Sequence, residues 1–395
     1  MSTSACEAGP LSAHEAAFAA FLVEQGYRPS SLLLYERAFR KLGRFLGRHR
    51  LGLGDLTPEV AAAILADRDG HWPPRARPAV VLSYLRAFGL VPVSPAPPPT
   101  PLEALLEDYR RFLLGERRLG LLTVTGYLAT ARWFTIQCGE GETACFESLG
   151  ARDVSAFVLE AARTHSAKTV NNHVVGLRSF LRFLHLQGLI AAPLSQATPW
   201  MASGALSSLP RALEPGTAER LLESCDRSHL GGKRDYAVLK VLSRLGLRAG
   251  EVAALELSDL DWERGELAVA GKGGRRDLLP LPIDVGEALS SYLTARGRGG
   301  PLRTVFSKLH APKGPMSMSN VRAVVRAACE RCGIPDTGAH RFRHGLASEL
   351  LSDGAPLEEI GQLLRHGNPK TTALYARVDL ASLSSLATPW PGSRR

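Results

Sequence analysis

The sequence has little cysteine, little methionine or tryptophan, and no long apolar run. Six cysteines in 395 residues are too few for a disulfide scaffold, so a reducing cytoplasm is the expected compartment. No uninterrupted apolar stretch reaches the ~18 residues of a membrane span. The first residues, Met1-Ser2-Thr3-Ser4-Ala5-Cys6-Glu7, have no basic region leading into an apolar one, so no secretory signal is expected. No glycine-rich loop closes on Lys-Ser/Thr, which argues against ATP hydrolysis. Metal ligands are also missing at the usual spacings. Cys329-Glu330-Arg331-Cys332 has no second Cys or His pair at zinc-finger distance and reads as structural thiols. His340 and His344 stand four apart without the Glu of an HExxH zinc helix. Neither a metal nor a cofactor is expected.

Acidic residues are the minority charge, 38 against 48 basic, for a net +10 and a pI near 9.5. Such a surplus favours a polyanionic partner, most simply nucleic acid. Forty of the basic residues are Arg and only eight are Lys. A GC-rich coding sequence accounts for most of that bias, so each lysine stands out against it. Hydrophobic residues make up 45% and charged residues 22%, which excludes a disordered or collagen-like chain. At roughly 100–200 residues per domain, the length implies two to three domains.

Two composition breaks divide the chain. Val91 to Pro101 reads VPVSPAPPPTP, a stiff polyproline-type linker. Pro193 to Pro210 reads PLSQATPWMASGALSSLP, poor in charge and periodicity. The resulting pieces are 14–91, 102–192 and 211–385. The first two read as repeats of each other. Gly26 and Tyr35 match Gly120 and Tyr127, and Val80 to Val91 matches Arg178 to Ile190, each closing on Gly-Leu. Their helical apolar spacing predicts an all-helical domain of roughly four helices in each. The third piece is mixed. Helices are expected over 234–242, 249–257, 284–296, 317–332, 339–352, 356–365 and 369–376, with short strands at Glu266 to Ala270 and Asp277 to Leu281. Between the strands, Gly271 to Arg276 (GKGGRR) reads as a hairpin turn.

A set of polar residues in the third piece is not required by either pattern. Arg248 sits at a glycine-flanked helix start in LGLRAGEV, and Lys272 at the hairpin tip. His340-Arg341-Phe342-Arg343-His344 places His340 and Arg343 on one helix face. His366 closes a helix in LLRHGNP, and Tyr375 follows in KTTALY. These residue types suit phosphoryl transfer to a tyrosine. Two guanidiniums grip the non-bridging oxygens of a phosphodiester in forked hydrogen bonds. They also neutralise the charge that develops in the transition state. A tyrosine oxygen supplies a covalent intermediate, and a lysine protonates the leaving 5′ oxygen. Tyr236 and Tyr292 lie in the same piece, but neither follows the His366 segment.

In order and spacing, LGLRAGEV, the hairpin lysine, HRFRH and LLRHGNPKTTALY resemble the active site of the tyrosine recombinase (phage integrase) family. Upstream, TVTGYLATARWF and KTVNNHVVGLRSFLRFLHLQGLI resemble that family's helical core-binding domain. The resemblance covers about 102–380, with 14–91 as an extra, core-binding-like unit. It implies two N-terminal all-α, SAM-like helical bundles that bind DNA. A mainly α, α+β catalytic domain with a small antiparallel hairpin or sheet follows them. It also implies roles. Arg248 and Arg343 would bind the scissile phosphate, Tyr375 would be the nucleophile, and Lys272 the general acid. His340 and His366 would hydrogen-bond the phosphate or assist proton transfer, and Glu251 would support the arginine. The sequence departs from the common pattern at Leu245, Phe342, Arg365 and Arg377. Arg365 stands where a Gly usually precedes the histidine, which affects the local turn.

The partners implied are double-stranded DNA with inverted-repeat core sites and the chain itself, as a tetrameric synapse. Sister recombinases and DNA-bending proteins are further candidates, and no membrane is involved. Segment Asp379 to Leu386 (DLASLSSL) is apolar at helical spacing and is expected to dock on a neighbouring protomer. Candidate DNA contacts are Arg163, Lys168, Asn171, Asn172, Arg178 and Arg182 in the second piece, with Arg275 and Arg276 in the hairpin. The expected function is site-specific recombination that integrates, excises or resolves mobile or phage DNA. The rivals are a type IB topoisomerase-like enzyme, a catalytically silent DNA-binding regulator and a helical adaptor.

Overall fold

A computed structural model of the chain describes residues 10–56, 78–91, 99–138, 146, 148–202, 213–271, 276–297 and 303–365. In the N-terminal piece, α1 (Glu15–Glu24), α2 (Pro29–Arg48) and α3 (Pro78–Ala87) are joined by aromatic rings. Phe18 stacks on Phe39 at 4.3 Å, and Tyr84 meets them edge-on at 5.0 and 5.7 Å. Pro29 begins α2, where its missing N–H has no intrahelical acceptor to lose. Gly26 ends α1 with φ 78°, and Tyr27 N donates back to Leu22 O at 3.0 Å. Gly89 ends α3 the same way, with φ 63° and Leu90 N to Leu85 O at 2.8 Å. A left-handed residue is needed at such a cap, and glycine adopts it without a Cβ clash. On its outer face α2 exposes Arg37, Arg44 and Arg48, which follow the helical repeat. A fourth helix in this piece would fall within 57–77, outside the described residues.

The second piece is a four-helix unit: α4 (Pro101–Gly115), α5 (Leu121–Cys138), α6 (Ala151–Thr164) and α7 (Ala167–Leu186). The end of the proline-rich linker is itself a helix start. Thr100 Oγ1 accepts from Glu103 N at 3.3 Å, and Glu103 Oε2 accepts from Thr100 N at 3.0 Å. This reciprocal cap satisfies two backbone donors, with Pro101 in the first turn. Leu102, Leu106, Tyr109 and Leu113 then face inwards at helical spacing. They meet Phe134, Phe157, Phe180 and Phe183 in one core. Each buried ring contributes on the order of 1.5–3 kcal/mol. At Gly176 a Cβ would stand 3.2 Å from the Thr130 hydroxyl, so glycine is what lets α7 approach α5 this closely. The Gly-Leu stop of α7 matches that of α3, with Gly188 at φ 71° and Leu189 N to Leu184 O at 2.9 Å.

The third piece holds α8 (Thr217–Glu223), α9 (Leu230–Leu245), α10 (Ala249–Ala254), α11 (Ile283–Arg296), α12 (Met318–Arg331), α13 (His340–Ser352) and α14 (Leu357–Leu363). Three antiparallel strands lie in the order β1 (Leu260–Asp261), β2 (Glu266–Ala270), β3 (Arg276–Pro280). Leu267 pairs with Leu279, and Ala270 with Arg276. β3 starts one residue earlier than its apolar pattern indicates, because the ladder extends to Arg276. α10 stops at Ala254, short of the expected 257, because the chain turns extended there. Leu255 O accepts from Val305 N at 2.7 Å, and Leu257 N donates to Arg303 O at 2.7 Å. The turn residues 272–275 and the expected helix 369–376 lie outside the described residues.

By contacts, Ser94–Ser208 form one compact unit, and Met1–Val93 with Leu209–Arg395 form the other. Within the latter, the N-terminal helices keep their own apolar core, distinct from the large core around α9. Lys313 N donates to Gln25 O at 3.0 Å between them. No helix among the described residues is long and apolar enough to cross a membrane.

Candidate active site

The site is built where α9 ends. Gly246 caps α9 with φ 58°. A Cβ there would come within 2.9 Å of Leu364 and 3.1 Å of Leu346. A side chain there would press on both leucines, and the left-handed backbone also favours glycine where α9, α13 and α14 converge. Arg343, on α13, runs through the junction with 6% exposure. Its guanidinium donates to Gly246 O at 2.8 Å and to Leu364 O. A buried cation is thus held by the last carbonyls of two helices, where the helix dipole is negative.

Two residues after Gly246, Arg248 is the N-cap of α10. Its backbone N–H donates to Glu251 Oε2 at 2.8 Å, and its Nη1 to Glu251 Oε1 at 2.7 Å. The rest of the Arg248 side chain is half exposed. Glu251 is nearly buried and accepts a third bond, from Arg365 Nη2 at 2.8 Å. Burial pushes the Glu251 carboxyl up. The Arg248 N–H, the Arg365 charge and the Arg248 guanidinium together outweigh it and hold the carboxyl below its ordinary range.

Arg365 follows α14 with φ 53°. This left-handed backbone costs a non-glycine residue about 1 kcal/mol or more. The departure noted at this position is therefore a real turn in which Arg replaces the residue the backbone prefers. Its side chain is 9% exposed, and its Nε and Nη1 are buried with no hydrogen-bond partner among the described residues.

His340 is exposed at the first turn of α13. Its ring stands 5.7 Å from that of His344 and nearly perpendicular to it. Burial, with His340, Arg343 and Arg341 nearby, lowers the His344 pKa to about 4. His344 is therefore neutral at pH 7.

The structure thus brings Arg248, Arg343 and Glu251 to one junction and places His340 on the same helix as Arg343. Lys272, Arg275, His366 and Tyr375 lie outside the described residues. Arg276 pairs with Asp259. In the second piece, Lys168, Asn172 and Arg182 are exposed on α7, and Arg163 is exposed beside Glu160. Asn171 instead clamps the Met201 backbone from both amide atoms, at 2.9 and 3.0 Å. Arg178 binds Thr198 and lies 4.7 Å over the Trp200 ring. Sequence reasoning missed the ion pair of Arg365 and the half-buried, neutral state of His344. The one signal for the first was a charged residue at an apolar helix end. No three His, Cys, Asp or Glu side chains gather as a metal-ligand set among the described residues.

Comparison with known proteins defines the class. Residues 211–381 match the phage integrase family. Over 394 residues the chain is 38% identical to the integrase/recombinase y4rA of Sinorhizobium fredii, spanning 97% of this chain and 95% of that protein. It is 31% identical to tyrosine recombinase XerD of Listeria monocytogenes over 284 residues, 69% of this chain and 94% of XerD. The fold is shared with a lambda integrase (75-356) dimer bound to a COC' core site. That match has a TM-score of 0.54 at 18% identity, over 68% of this chain and 96% of that one. The chain belongs to the phage integrase family, the tyrosine recombinases, which are DNA strand-transferring enzymes.

Proposed function

We propose that this chain is a site-specific DNA recombinase that cuts and rejoins strands through Tyr375. The observation that carries the reading is the junction of Arg248, Glu251 and Arg343 around Gly246, assembled from helices about 95 residues apart in sequence. Arg248 and Arg343 hold the scissile phosphate and neutralise its developing charge. The Tyr375 oxygen attacks phosphorus and the bond to the 5′ oxygen breaks. Lys272 gives that oxygen its proton, with His340 and His366 assisting. A 3′-phosphotyrosine and a 5′-hydroxyl result. The incoming 5′-hydroxyl of the partner strand reverses the step. The phosphotyrosine conserves the bond energy, so the exchange draws on no cofactor.

The segments 14–91, 102–192 and 211–385 act as three domains in this reading, the first two as SAM-like DNA-binding bundles. The second and third clamp a half-site of an inverted repeat. Four protomers synapse, with 379–386, outside the described residues, docking between neighbours. Lys168, Asn172, Arg182 and Arg163 supply phosphate contacts from the second domain, with Arg275 and Arg276 from the hairpin. Arg37, Arg44 and Arg48 on α2 add contacts from the first. The protein works in the cytoplasm on mobile or phage DNA. Sister recombinases and bending proteins are candidate partners.

The test is a nicked suicide substrate built from DNA flanking the gene's own element. Wild-type protein is expected to give a covalent protein–DNA band on a denaturing gel, and Tyr375→Phe none. A retarded complex on a native gel with no covalent band would instead make the protein a DNA-binding regulator.

A further inference from the structure

We infer that Arg365 is a positioning residue for strand cleavage: by holding one oxygen of Glu251, it keeps the Arg248 guanidinium from being neutralised and so available to the scissile phosphate. The inference rests on the recombinase reading above.

One carboxylate serves two guanidiniums here. Arg248 takes Oε1 at 2.7 Å and Arg365 takes Oε2 at 2.8 Å. Two cations around one anion leave a net positive charge. That charge lies at the junction through which the second arginine, Arg343, passes. Without Arg365, Oε2 would keep only the Arg248 backbone N–H and could accept a second bond, from the Arg248 guanidinium. The preferred arrangement of Arg with a carboxylate is a two-bond fork. In that fork Arg248 would spend its charge and its paired donors on Glu251, leaving both less available to phosphate.

The backbone at Arg365 does not favour an arginine. It has φ 53°, which favours glycine. The Arg365 guanidinium is nearly buried, at 9% exposure, and a charge taken out of water costs free energy that its ion pair must offset. Glycine at this position would relieve the backbone and bury no charge. An arginine kept at that cost has its explanation in the charge it brings to Glu251.

The test compares four full-length proteins on the suicide substrate: wild type, Arg365→Gly, Arg365→Lys and the double variant Glu251→Gln/Arg365→Gly. Arg365→Gly exchanges its ion pair with Glu251 for a relaxed backbone, so it is expected to melt within a few degrees of wild type and to bind the half-site within about three-fold of it. It should form the covalent complex about ten-fold more slowly or worse. Arg365→Lys keeps the charge and should cleave faster than Arg365→Gly. Glu251→Gln removes the competing charge, while its amide oxygen still accepts the Arg248 backbone N–H. The double variant should therefore cleave faster than Arg365→Gly alone, which loss of a merely structural contact would not produce. Wild-type cleavage by Arg365→Gly overturns the inference, as does a double variant no faster than the single one. If wild type itself gives no Tyr375-dependent adduct, the recombinase reading fails and the inference falls with it.

Discussion

At the scale of single residues, the junction at Gly246 ties stability to chemistry. Arg343 is buried and satisfies the carbonyls of Gly246 and Leu364. Arg343→Ala would strand both carbonyls and leave a cavity, so it should lower stability by about 2–4 kcal/mol as well as abolish cleavage. Thermal unfolding and the covalent-adduct gel check the two losses separately. Next along the same helix, His344 makes stability depend on pH. The unfolded chain protonates this ring near pH 6.5, and the folded chain only near pH 4. Its contribution is therefore complete above pH 6.5 and is lost as pH falls toward 4. The ring is only partly buried, so the effect should be roughly 1–2 kcal/mol. His173 is also held neutral by burial and acts with the same sign. The informative measurement is thus the difference in melting temperature between pH 7.5 and 5, which should shrink in His344→Gln. An unchanged difference would assign the acid limb to other groups. The placement of Arg248 at a helix start and of His340 and Arg343 on one helix was legible in the sequence, because glycines flank the first and the other two stand three apart. The Arg365–Glu251 bond was not. The two residues are 114 apart, and only the fold brings α14 to the start of α10.

At the scale of elements, α7 shows both how far periodicity reads and where it stops. Lys168, Asn171, Asn172, Arg178 and Arg182 all fall on one broad helical face, so spacing alone marks each of them for DNA. The segment after α7 has no periodicity to announce its path, yet it folds back over one edge of that face. Thr198, Trp200 and Met201 occupy Arg178 and Asn171, while Lys168, Asn172 and Arg182 stay exposed. The two groups should respond differently to mutation. Lys168→Ala and Arg182→Ala should each weaken half-site binding for all sequences alike. Each should also reduce the slope of log affinity against log salt by about one, with the melting temperature unchanged. Arg178→Ala should instead lower stability by about 1–2 kcal/mol, through lost hydrogen bonds and the Trp200 contact, and leave the salt slope alone. A changed slope in Arg178→Ala would place that side chain on the phosphates. Helix ends with a chemical stop were also legible, as at Gly89 and Gly188. The end of α10 was not, because the bonds from 303–305 that pull Leu255 and Leu257 into extended form come from about 50 residues away.

At the scale of the whole molecule, the distinctive part is the N-terminal piece. The match to XerD covers nearly all of XerD but 69% of this chain, whereas the match to y4rA covers 97% of it. A tyrosine recombinase thus aligns along nearly its whole length with only part of this chain. The N-terminal helices nonetheless form their own aromatic core and hold Lys313 of the third piece through a backbone bond. They also turn Arg37, Arg44 and Arg48 to solvent from one face of α2. A face of that kind tracks a phosphate backbone without reading its sequence. Residues 102–395 alone should therefore still form the Tyr375-dependent adduct, with a shorter nuclease footprint and a shallower salt dependence than the full chain. In the full chain, Arg37→Ala/Arg44→Ala/Arg48→Ala should reproduce the shallower salt dependence, by up to about three in slope, while the helices stay folded. The triple variant separates charge from bulk. If truncation shortens the footprint and the triple variant does not weaken binding, the N-terminal piece reaches DNA by another face. If footprints are equal with and without residues 1–101, the N-terminal piece makes no DNA contact, and its hold on Lys313 is then the feature that explains its presence.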